Sequence, residues 1–94
     1  MNQKEIRESK IAARVSEMLK ELGRLESCDS VREISFEKGD PEGGQFAMKE
    51  RAGTWEIRLS DGATRSLHLT FEQLHDIDTE HSLKLKQAIL DGLG

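Results

Sequence analysis

Between Val31 and Thr70 large apolar residues alternate with polar ones in four short runs. This alternation limits the possible folds more than any other feature of the chain. The runs are Ile34 and Phe36; Phe46 and Met48; Trp55, Ile57 and Leu59; and Leu67 and Leu69, with turn-forming residues between them. A period of two puts every second side chain on one face of a strand. Four successive runs predict a four-stranded antiparallel meander with one apolar face and one wet face.

Directly opposed residues share a face, so strand pairing can be tested by parity. A three-residue loop Ser60-Asp61-Gly62, with glycine in the left-handed position, pairs Leu59 with Ala63 and Trp55 with Leu67. A two-residue Asp61-Gly62 turn would turn Leu67 and Leu69 to the wrong face and is rejected. A turn near Glu50-Arg51-Ala52-Gly53 is expected to pair Met48 with Trp55 and Phe46 with Ile57. A first turn over Lys38–Gly44 is expected to pair Phe36 with Phe46 and Ile34 with Met48.

Residues 3–22 read as an amphipathic helix. They contain no glycine or proline, and Ile11, Val15, Met18 and Leu22 fall on one stripe. Gly23 is the stop, and Leu25–Ser30 read as a connector. The stripe is expected to dock on the apolar sheet face. Its 4-3-4 spacing also fits a short seam between two copies of the chain. After the strands, Thr70 and Gln73 form a capping box that starts a short helix to about Ile77. Thr79 is placed to cap a second helix to about Asp91, with Gly92 as its stop. Residues 1–94 therefore predict a single small α+β domain, a two-layer sandwich in the order α-β-β-β-β-α-α.

Composition narrows the function classes. The chain has 94 residues, of which 34% are charged, and a net charge of −4. Residues 1–14 hold four cations against Glu5 and Glu8, so the acidic excess lies further along. An acidic surface disfavours non-specific binding of nucleic acid. One cysteine, Cys28, permits no internal disulfide. No apolar run nears the roughly 18 residues of a membrane span, and the N-terminus has no apolar signal region. A soluble, cytoplasmic protein is expected.

Candidate chemistry is thin. His75, Asp76, Asp78, Glu80 and His81 are ligand-type side chains, but the histidines lie six apart across an expected helix break, and a polar inter-helix turn explains them. No metal or cofactor is expected. His68 has no evident nucleophile to activate, and Cys28 has no histidine close in sequence. The loop Lys38–Gly44 is rich in glycine but leads into a strand and carries Asp40 and Glu42, unlike a phosphate-binding loop. Arg7, Lys10 and Arg14 form a basic stripe, diluted by Glu5 and Glu8, that reads as a solvated helix face. These readings predict no enzyme.

What remains is the wet sheet face, where Glu33, Glu37, Lys49, Glu56, Arg58 and His68 are the candidate partner contacts. A charge-mixed face of this kind suits another protein as partner. The expected function is a non-enzymatic adaptor, regulator or inhibitor, of a kind often carried by phages and other mobile elements. A homodimer through Ile11, Val15, Met18 and Leu22 is the structural alternative. A meander followed by a C-terminal helix is also similar, over residues 31–90, to transcriptional coactivator-type single-stranded-DNA-binding domains. That resemblance implies nucleic-acid binding on the open sheet face or its loops through basic and aromatic residues. Here the face carries Glu33, Glu37 and Glu56 and no aromatic ring for stacking, so the likeness is one of topology.

Overall fold

The computed structural model describes residues 2–37, 51–78 and 83–93. Helix α1 (Gln3–Glu21) is followed by strands β1 (Cys28–Phe36), β2 (Arg51–Leu59) and β3 (Thr64–Thr70). Helix α2 (Phe71–His75), a 3-10 turn (Asp76–Asp78) and helix α3 (Leu83–Leu93) complete the order. The strands form one antiparallel sheet, β1-β2-β3, and α1 and α3 cover one side of it. The architecture is α+β in two layers.

Helix α1 is closed at both ends. The Asn2 side chain accepts the Glu5 amide at 2.8 Å. Gly23 adopts φ 69°, and the Gly23 and Arg24 amides turn back to the Lys20 and Leu19 carbonyls, each at 3.0 Å. This is the paired-bond ending that a left-handed glycine permits. The stripe between these caps buries Ile11, Val15, Met18 and Leu19 against the sheet. Leu22 stays about half exposed.

The β2–β3 hairpin follows the expected parity. The Leu59 amide donates to Ala63 at 2.9 Å, Gly62 has φ 89°, and Trp55 lies opposite Leu67. The Asp61 carboxylate tightens the loop by accepting the Ala63 amide at 2.9 Å. The capping box also forms, with Thr70 Oγ1 accepting the Gln73 amide at 3.2 Å and Gln73 Oε1 accepting the Thr70 amide at 2.9 Å. Helix α3 runs through Gly92 rather than ending there. A Cβ at Gly92 would stand 3.1 Å from the Ser66 carbonyl oxygen, so this glycine lets α3 press against β3.

The four-stranded meander needs correction. β1 pairs directly with β2, Val31 opposite Ile57 and Glu33 opposite Trp55. No strand can lie between them, so the expected pairings of Phe46 and Met48 with Trp55 and Ile57 do not occur. Phe46 and Met48 themselves fall outside the described residues. Residues 51–53, expected in a turn, belong to β2, and Cys28–Ser30, expected in a connector, begin β1.

A bulge explains the misplaced residues of β1. The register shifts between Glu33 and Ser35, which leaves Ile34 as the extra residue. Parity therefore reverses across it. Val31 and Glu33 turn toward the helices, Ile34 turns out and is 52% exposed, and Phe36 packs on the core. Trp55 is buried completely at the centre of the core, and its indole N–H finds no acceptor among the described residues.

Candidate interaction surface

The sheet face away from the helices is built by β1 and β2 residues of one parity and the matching residues of β3. Arg32 lies opposite Glu56 in the ladder, and their side chains pair at 3.6 Å, the arginine largely and the glutamate partly exposed. Thr54 lies opposite His68, and Thr54 Oγ1 and His68 Nδ1 are 2.9 Å apart in a hydrogen bond. Arg58, Ser66 and Thr64 extend the surface, all exposed. The alternation of the strands fixes these side chains on one rigid plane.

Of the residues singled out from sequence, Glu56, Arg58 and His68 share this face. Glu37 is exposed just beyond β1, where its amide donates to the Ala52 carbonyl at 2.8 Å. Lys49 lies outside the described residues. Glu33 is on the other side of the sheet. Its carboxylate accepts a two-pronged bond from Arg7, with Nε to Oε1 at 2.7 Å and Nη2 to Oε2 at 2.9 Å. Glu33 is only 9% exposed there, so it is a tie between sheet and helix, not a partner contact.

Sequence reasoning missed this tie. Arg7 also lays its guanidinium over the Phe36 ring, 3.6 Å from the centroid. The hydrogen bond to Glu33 holds the arginine even more firmly protonated than usual. Glu8 adds a second link, its Oε2 accepting the Glu33 amide at 2.7 Å. Further along the same stripe, Arg14 Nε donates to the Ile77 carbonyl at 2.7 Å and Nη1 to Glu17 at 2.9 Å. At Arg7 and Arg14 the basic stripe is therefore not a solvated face, while Lys10 is exposed. Arg7 and Arg14 anchor α1 to β1 and to the turn after α2. The only sequence signal was a set of cations on the helix side next to the apolar stripe.

Removing one partner of a desolvated fork leaves the other without its counter-charge. Glu33→Ala is expected to cost about 2 kcal/mol in urea unfolding, with Glu33→Gln intermediate because it keeps one acceptor. Equal stability of wild type and Glu33→Ala would show that the fork adds nothing.

Ile11, Val15 and Met18 point into the intramolecular core and present no surface for a seam between copies. Burial is the first cause that pushes the Cys28 thiol above its ordinary range, with the Asp29 charge second. Such a thiol is mostly protonated at neutral pH and a weak nucleophile. Among the described residues no three His, Cys, Asp or Glu side chains converge as a metal site. Glu80 and His81 lie outside them, as do residues 38–50. No helix among the described residues is long and apolar enough to cross a membrane. Comparison with protein families, characterised proteins and solved structures yields no match.

Proposed function

We propose that the protein is a non-catalytic protein-binding module of the cytoplasm, an adaptor, regulator or inhibitor, that meets its partner with the outer sheet face. The observation that supports this reading is the charge-mixed plane on which Arg32, Arg58 and His68 are exposed and Thr54 and Glu56 partly so. Opposite charges held at fixed spacing select a complementary surface and reject others through misplaced charge. Nucleic acid finds less on this plane, because Trp55 and Phe36 are both turned toward the helices and, among the described residues, His68 alone offers it a ring.

The test is the double variant Glu56→Arg, Arg58→Glu, which keeps the count of charges. Both side chains leave the sheet on its wet side, so the melting temperature is expected to stay within a few degrees of wild type. A partner captured from host extract by wild type should be lost or weakened about tenfold or more with the reversed face. Retention of every captured partner at equal yield would exclude this face as the site.

A further inference from the structure

The two margins of the sheet differ. Leu59 and Ala63 are a hydrogen-bonded pair, so by alternation Ile57–Arg65 and Trp55–Leu67 are too. The backbones of Thr64, Ser66, His68 and Thr70 therefore face away from β2. At the ends of this row the groups are occupied: the Thr64 carbonyl accepts from Arg65 at 3.0 Å, and the Thr70 amide donates to Gln73 at 2.9 Å. In the middle, the N–H and C=O of Ser66 and His68 have no partner among the described residues, and both residues are exposed. On the β1 margin, by contrast, Glu8 takes the Glu33 amide.

Beside the open stretch runs a groove of about 440 Å³, lined by Ser66, His68, Gln73, Ala88, Asp91 and Gly92. Its floor is α3, held close by Gly92. Asp91 stands on its wall near the C-terminal end of α3, where Arg65 Nε donates to the Leu93 carbonyl at 3.4 Å. Its carboxylate accepts from the Gln87 amide at 3.0 Å and meets no cation among the described residues.

We propose that an extended segment of a partner protein, carrying a basic side chain, adds to the edge of β3 in this groove. Donor and acceptor repeat every second residue, about 7 Å apart, which is the period of another extended backbone and of little else. The uncompensated Asp91 selects a lysine or arginine on that segment. A second copy of this chain is the poorer occupant. Two-fold pairing through Ser66 and His68 would bring the Asp91 walls of two molecules toward each other, each with net charge −4. This site extends the protein-binding reading to a second surface and does not depend on the outer face.

The probe is a capped hexapeptide of alternating lysine and valine, titrated into the full isotope-labelled chain and followed by amide resonances, with a glutamate–valine peptide as counterpart. The lysine peptide at millimolar concentration should shift the Ser66 and His68 amides and those of residues 88–92, and the glutamate peptide should not. Ser66→Pro deletes a donor that faces away from β2, spares the β2–β3 ladder and should weaken binding about fivefold or more. Ser66→Ala keeps the donor and should bind as wild type. Asp91→Lys, on an exposed helix position, should transfer the preference to the glutamate peptide even if the proline variant does not fold. The Glu56→Arg, Arg58→Glu protein should still take the lysine peptide. Silence of these amides, equal response to both peptides, or shifts that follow protein concentration alone and assign the edge to a second copy would each overturn the proposal.

Discussion

Val15→Asp is expected to unfold the domain. Val15 is completely buried, at the middle of the α1 stripe and among Ile11, Met18 and Leu19. The substitution removes apolar burial worth about 2 kcal/mol and puts a carboxylate where no cation or donor awaits it. The sum is about 5 kcal/mol or more, comparable to the whole stability of a domain of this size, roughly 5–14 kcal/mol. Circular dichroism and urea titration should show loss of the cooperative transition, or a midpoint lowered by more than half. Val15→Ala should stay folded and lose about 2 kcal/mol. A folded monomeric Val15→Asp protein that replaced a wild-type dimer would show the opposite, that the stripe is a seam between chains.

Gly53→Ala should produce the next largest loss. Gly53 sits in β2 opposite Phe36, where the strands come close at the bulge. An added Cβ would stand 2.4 Å from the Ser35 carbonyl oxygen, 2.9 Å from Trp55 Cη2 and 3.3 Å from Phe36 Cα. Neither a backbone carbonyl nor a fully buried indole can step aside cheaply. The expected cost is about 3 kcal/mol, or roughly 15 °C in melting temperature for a domain of this length. Gly62 provides the contrast. Nothing lies within 4 Å of its missing Cβ, but its φ is 89°, so Gly62→Ala should cost only about 1–2 kcal/mol through backbone conformation. If Gly53→Ala melts with the wild type, the close approach of β1 and β2 is wrong.

Gly53 also shows why part of the fold was hidden in the sequence. A glycine after Glu50-Arg51-Ala52 looks like a turn, yet it can equally mark a place where two backbones touch. The second meaning is the one realised, and with it the expected loop became strand. Ile34 is the companion case. Alternation assigns a face only while the ladder is unbroken, and one extra residue at a bulge exchanges the faces of Glu33 and Ile34 relative to expectation. Nothing in the pattern of residues 31–36 announces that insertion. Signals that depend on neighbouring residues survived: the hairpin at Ser60-Asp61-Gly62, the capping box of Thr70 and Gln73, and the stop at Gly23. On the candidate surface, Glu56, Arg58 and His68 were legible because β2 and β3 keep a regular register between residues 53 and 69. The ties of Arg7 and Arg14 were not, because their partners are 26 and 63 positions away. No local pattern encodes such a contact.

The Glu8 carboxylate on the Glu33 amide has a further consequence for how molecules of this protein can stack. A sheet that can be lengthened at both margins can grow without limit, one chain after another, into a filament. Here a helix side chain already holds one rung of the β1 margin, so a strand arriving there would first have to displace the Glu8 carboxylate from the Glu33 amide. Growth of the sheet at both margins would therefore cost this contact at every step, whereas the proposed addition beside β3 would cost none.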